Sequence, residues 1–218
     1  MKPSAFSFVM VADQVGSRSA ADGVPAALDA LSGMELLLPF ERTAGDEIQG
    51  LTDSAEVVVA TVSRLTRLGN WRVGIGAGEV ESPLPRSTRA ARGTAYLAAR
   101  EAIAAARHSP TDLALTLRAD VSPDRYGETT PTARDAESAL WLLRSVLARR
   151  SREGWELMDL LDQGLTNAQA AARLGISPSA VSQRLGRSAR LEAQRGSELA
   201  TRLLTRLHGL VVGAEASA

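Results

Sequence analysis

The chain reads as an α+β protein: a ferredoxin-like, palm-type antiparallel sheet carrying helices on one face, followed by an all-α helix-turn-helix segment. Three observations predict this. Strand-like and helix-like stretches alternate over the first ~120 residues. From Ala133 onward only helical periodicity remains. The string LTNAQAAARLGISPSAVSQRL, Leu165 to Leu185, carries the punctuation of two short helices joined by a tight turn.

In chain order, Phe6–Ala12 is a nearly continuous apolar run and suits a buried central strand. Val24–Leu38 carries apolar residues at helical spacing. Phe40–Thr43, then Gly45-Asp46-Glu47, then Ile48–Leu51 reads as strand, tight turn, strand. Ser54–Leu68 is an amphipathic helix capped by Asp53 or Ser54 and stopped by Gly69-Asn70. Trp71–Val80 is a glycine-containing strand, Ala90–Arg107 an alanine-rich helix, and Leu113–Ala119 an alternating strand. The order is βαββαβ followed by αβ.

Ser122–Thr132 is rich in Pro, Thr and Gly and reads as a loop or linker. Ala133–Arg150 is a connector helix with Ala136, Leu140, Leu143 and Leu147 on one face. Helices over Trp155–Leu161 and Leu191–Val211 flank the helix-turn-helix. The stripe Leu199, Leu203, Leu207 and Leu210 suits either a core face of the small C-terminal unit or a dimer seam. The expected division is 1–121, a palm domain; 122–151, linker and connector helix; and 152–218, a helix-turn-helix domain.

Composition narrows the function classes. At 218 residues, 44% hydrophobic and 23% charged, the chain has room for a sizeable core and is not of disordered type. No apolar run reaches the length of a membrane span, so no membrane partner is expected. The N-terminal run is interrupted by Asp13 and reads as a strand rather than a signal peptide. The absence of cysteine excludes disulfides, thiolate metal centres and thiol nucleophiles. The expected location is the cytoplasm. Net charge is zero, yet Arg173 to Arg206 holds seven arginines against two glutamates. Such a local excess provides the electrostatic attraction a DNA-binding end requires, although a solvated basic face has the same composition.

Within Leu165–Leu185, Thr166 is a suitable N-cap with Gln169 as its capping-box partner. Gly175 sits where a tight interhelical turn favours positive φ. Ser177 caps the second helix and Pro178 occupies its first position. Val181 and Leu185 face inward, which leaves Ser179, Ser182, Gln183 and Arg184 outward, with Arg187 behind them. Small and amide side chains near a helix N-terminus, followed by arginines, suit a recognition helix in the major groove of double-stranded DNA. The DNA-binding set is therefore Thr166, Ser177, Ser179, Ser182, Gln183, Arg184 and Arg187. The stretch resembles the helix-turn-helix of sigma-region-4-like and related bacterial regulators.

The N-terminal half carries a second constellation. Asp13 ends the first strand, and Asp46 and Glu47 lie in the turn of the next strand pair. In a βαββαβ sheet those elements are neighbours, so Asp13 and Asp46 are expected to face one another. Two carboxylates at one sheet end repel unless something cationic lies between them. A hard divalent ion, Mg²⁺ held together with phosphate oxygens, meets that need.

The segments ADQVGS, RTAGDEIQGL, RVGIGAGEV and GTAYLAAREA resemble the SatD family of bacterial proteins. More distantly they resemble the palm of class III nucleotide cyclases and diguanylate cyclases. The resemblance covers roughly the first half of the chain. It implies that Asp13 and Asp46 bind metal and that Arg42 stands at the base-selecting position. It also places Arg100 at the cyclases' transition-state arginine and implies a site at a dimer interface. The implied nucleotide-binding set is Arg42, Asp46, Glu47, Tyr96 and Arg100. Two positions depart from the pattern: Tyr96 replaces the asparagine that orients the ribose, and Ala44 replaces the first loop glycine. Gly74, Gly76 and Gly78 permit close approach of a ligand or a neighbouring helix.

These readings combine into an expected DNA-binding transcriptional regulator, a homodimer whose palm senses a nucleotide with Mg²⁺. No catalytic residue is assigned. The alternative is an active nucleotide cyclase, or another phosphoryl-transfer enzyme, with a DNA-binding appendage.

Overall fold

The structure, a computed structural model, describes residues 4–17, 19–119 and 123–215. It is α+β: a five-stranded sheet with helices, then an all-helical C-terminal region. The elements are β1 (Ser4–Gln14), α1 (Val24–Ala30), β2 (Leu38–Arg42), β3 (Glu47–Thr52), α2 (Ala55–Leu68), β4 (Trp71–Glu81), α3 (Thr94–Ala106) and β5 (Leu113–Arg118). There follow α4 (Pro123–Ala148), α5 (Arg152–Asp162), α6 (Asn167–Leu174), α7 (Pro178–Arg187) and α8 (Arg190–Glu215).

The sheet order is β2-β3-β1-β4-β5. Its first four strands pair antiparallel, with β1 at the centre as its apolar run predicts. The sheet is mixed rather than purely antiparallel, because α3 crosses over and returns the chain as β5 parallel to β4. The crossover also places a helix on each face, where helices on one face were expected. Phe6, Phe8, Met10 and Ala12 point from β1 to the side covered by α1, α2, α4 and α8. Val9 and Val11 point to the opposite side, which α3 covers with Ala95 and Ala99.

The contact between α3 and β4 is unusually close. A Cβ built on Gly74, Gly76 or Gly78 would come to 2.7 Å from Ile103 Cα, Ala99 Cα or Ala95 N respectively. Real side chains do not fit such gaps. The glycines therefore admit a helix, and alanines at 95, 98, 99, 102 and 106 keep that helix thin on its buried side.

Two expected elements differ. The helix expected over Val24–Leu38 stops at Ala30, and Leu38 begins β2 opposite Leu51. Gly33, at φ 71°, turns the chain between them. The loop expected over Ser122–Thr132 is helical from Pro123 onward, while Ser122 lies outside the described residues. Tertiary burial outweighs composition here: Thr129 and Thr132 are buried, and Pro131 is accommodated inside the helix.

The α4 helix then follows the outer edge of β5. Trp141 Nε1 donates to Leu113 O at 2.7 Å, and Glu137 Oε1 accepts from Leu115 N at 2.9 Å. Arg144 is buried and donates to Asp112 O at 3.0 Å and to Trp71 O. Burial lowers its pKa to about 10, opposed by the Asp112 charge. Trp141 and Glu137 occupy backbone groups of β5 that a bare edge strand would present to a second sheet.

The inward face of α8 is Ala200, Leu204, Leu207 and Val211, and it packs in the sheet-half core beside Ala136, Leu140, Leu143 and Leu147 of α4. Of the leucine stripe only Leu207 lies in this buried face; Leu203 packs partly against it, and Leu199 is exposed. His208 packs edge-on against Phe6 at 5.4 Å between ring centroids. Core packing accordingly cuts across the boundaries expected at 121 and 151. Residues of α5, α6 and α7 form their own small core, inserted between α4 and α8.

Replacing Gly76 by Ala should lower the free energy of unfolding by about 2 kcal/mol or more, because overpacking against helix backbone has no flexible side chain to absorb it. Gly186→Ala, at an open position in α7, should instead raise it by roughly 0.5–1 kcal/mol. Urea denaturation of both variants measures the contrast.

Candidate functional site

The three helices α5, α6 and α7 enclose Leu157, Met158, Leu161, Ala170, Ala171 and Val181. Each local signal read from the sequence has a counterpart in this unit. Thr166 accepts from Gln169 N at 3.3 Å, and Gln169 Oε1 accepts from Thr166 N at 2.8 Å, a reciprocal capping box. Gly175 is left-handed at φ 65°, ψ 33°, and ends α6. Ser177 Oγ accepts from Ala180 N at 3.2 Å, and Pro178 opens α7.

Val181 anchors α7 in the small core, and Leu185 is partly buried against it. Ser179, Ser182, Gln183 and Arg187 are exposed along the opposite side, and Thr166 and Ser177 are exposed at the two helix starts. Ser182 Oγ donates back to Pro178 O at 3.1 Å. Arg184 is only half-exposed and lies near Glu153, whose carboxyl is held below the usual range by its own backbone N–H and Ser151, with smaller contributions from Arg152 and Arg184. It lines a recess with Arg149, Ser151 and Arg187 rather than standing on the outermost line of α7.

The joint between this unit and the sheet half involves residues that no sequence signal marked. Arg67, in the last turn of α2, holds Asp159 of α5 through two bonds of 2.6 Å. The Trp155 ring has Arg67 at 5.1 Å and Arg150 at 4.4 Å. Arg150 Nε also donates to Ser188 O, at the C-cap of α7, at 2.9 Å. A continuous chain of contacts therefore leads from α2 to the end of α7.

Where β1 ends beside the start of β4, a shallow cavity of about 410 Å³ is lined by Gln14, Ser17, Asp22, Arg42, Gly45 and Asp46, among others. The bend of the β2–β3 hairpin brings Arg42 and Asp46 here. Arg42 donates to Gly45 O at 3.1 Å and pairs with Asp22. That pairing holds the Asp22 carboxyl below its usual range. Gln14 shapes the rim by donating to Ala21 O and accepting from Gly23 N, both at 2.8 Å. Glu47 turns away and accepts from Thr43 Oγ1.

Tyr96 and Arg100 do not join this group. Tyr96 lies half-buried against the other face of the sheet, its hydroxyl 3.1 Å from Thr88 Oγ1. Burial pushes its pKa up. Arg100 is exposed on the outer side of α3. A larger groove of about 760 Å³ between β5 and α4 contains none of the expected site residues.

Asp13 sits in register with Glu47 on one side and Arg72 on the other. Arg72 Nη1 reaches both its carboxylate oxygens, at 3.1 and 3.2 Å. Burial raises the Asp13 pKa, while Arg72 and Arg107 oppose the rise and Asp46 adds to it. Among the described residues no three His, Cys, Asp or Glu side chains converge as a metal centre requires. With its carboxylate claimed by a guanidinium, Asp13 does not fit the role of a Mg²⁺ ligand beside Asp46.

Ser177→Ala should cost about 1 kcal/mol of stability through loss of the α7 cap. The loss is read from urea denaturation, with circular dichroism verifying that the helical content persists.

No family model matches the chain, and no curated protein matches it by sequence. Among solved structures, one similar chain is a regulator of polyketide synthase expression from Bifidobacterium adolescentis. It is 14% identical over 95% of this chain and 82% of that one, with a TM-score of 0.27. Similarity at that level carries no argument about fold or activity.

Proposed function

We propose that this protein is a DNA-binding transcriptional regulator in which α7 enters the major groove. The observation that carries the reading is α7 itself: a helix capped by Ser177 and Pro178, anchored by Val181, with Ser179, Ser182, Gln183 and Arg187 exposed along one side. Short polar side chains allow the helix to approach base edges closely, and the glutamine amide suits bidentate pairing with adenine. The exposed N-terminal turn of α6, with its capping box, suits a phosphate of the backbone.

The reading extends to a homodimer, which would present two α7 helices to half-sites one DNA turn apart in a palindromic operator. It extends also to a nucleotide ligand at the cavity of Arg42 and Asp46, in keeping with the resemblance to SatD-like and cyclase-like palms. The contacts from Arg67 through Trp155 and Arg150 to Ser188 join the sheet half to the end of α7 and support communication between them. A ligand exerts control only through its differential affinity for the DNA-competent and incompetent states.

Fluorescence anisotropy with duplex DNA selected from a random pool tests the proposal. The expected result is salt-sensitive binding. Arg187→Ala should weaken all duplexes alike and reduce the slope of log K against log salt by about 1. Gln183→Ala should cost about 1–3 kcal/mol on the selected sequence and relax its preference at a single position. A chain that binds no duplex at low salt, with or without nucleotide, would overturn the reading.

A further inference from the structure

The acidic end of the sheet requires a cation, and the protein supplies one. Asp13 lies directly opposite Glu47 in the β1–β3 register, and Asp46 is close enough to raise its pKa. On its other side Asp13 meets Arg72 of β4, an opposite-charge cross-strand pair on the same face of the sheet. Both side chains are largely sheltered, at 16% and 17% exposure.

The guanidinium serves a second carboxylate as well. Asp112, in the turn leading into β5, has its Oδ1 3.4 Å from Arg72 Nε. That nitrogen is buried and makes no hydrogen bond, so the Asp112 charge is what compensates it. Arg72 thus lies between the end of β1 and the turn before β5. Also nearby are Arg107 at the end of α3, Asp46 on the hairpin turn, and Arg144, which bonds the Asp112 carbonyl and feels its charge.

We infer that Arg72 is the resident cation of this sheet end, standing in place of a divalent ion. The guanidinium bonds both Asp13 oxygens through Nη1, faces Asp112 through Nε, and cannot lose its charge. A divalent ion approaching Asp13 would meet that positive charge at close range and would have to displace it. The inference concerns the unliganded protein and stands whether or not the cavity takes a nucleotide.

Titration of the full-length protein with Mn²⁺, read by electron paramagnetic resonance of the free ion, tests it. Wild type and Asp13→Asn should retain Mn²⁺ equally. Arg72→Gln should acquire one saturable Mn²⁺ site, and the double variant Arg72→Gln/Asp13→Asn should lose it. Saturable binding by wild type that disappears in Asp13→Asn would overturn the inference, as would a folded Arg72→Gln protein that gains no site. The comparison of wild type with Asp13→Asn decides the matter even where Arg72→Gln fails to fold.

Discussion

The rest of the architecture depends on the seam between a glycine line on β4 and an alanine line on α3. Gly74, Gly76 and Gly78 recur every two residues, and Ile103, Ala99 and Ala95 every four, in the opposite chain direction. Two strand residues advance about 6.6 Å and four helical residues about 6.0 Å, so the two spacings remain in step along the seam. One helix lying this low seals its face of the sheet with little bulk. The larger side chains, Phe6, Phe8 and Met10 among them, are then directed to the opposite face. That face requires a deeper cover, which α1, α2, α4 and α8 provide together.

The cover also closes the sheet sideways. Trp141 and Glu137 meet the outward backbone groups of β5, and Arg144 bonds the carbonyls where β4 and β5 begin. A helix usually protects an edge by steric bulk alone. Here α4 also provides hydrogen-bond partners, so its position along the strand is fixed as well as its distance. Because α8 packs along α4 and against β1, the same registration extends to the last helix.

How much was legible in the sequence depended on how far apart the partners lie. Thr166, Gln169, Gly175, Ser177 and Pro178 act within one or two turns of themselves, and all adopt the roles their types predict. The strands and the central place of β1 were legible from apolar runs. The Arg72–Asp13 pair spans 59 residues and the Arg67–Asp159 pair 92, and nothing local marks either one. The carboxylates near Asp13 are visible in the sequence, but the Arg72 that pairs with Asp13 lies on a strand whose neighbourhood only the fold reveals. The first turns of α4 were misread for a related reason. Their Pro, Thr and Gly content is that of a loop, and only burial of Thr129 and Thr132 against distant elements favours helix. Tyr96 and Arg100 were grouped with Asp46 through resemblance, whereas strand alternation and the α3 crossover put them elsewhere.

The insertion of α5–α7 between two paired helices has a mechanical consequence. A domain joined by one linker swivels freely, but this unit is gripped at both ends, by α4 entering and α8 leaving. Arg150 and Ser188 clasp the two attachment points to each other. Such a mounting resists bending and transmits torsion. Because α8 follows α7 directly and packs along α4, the orientation of α7 is tied to the register of those two long helices.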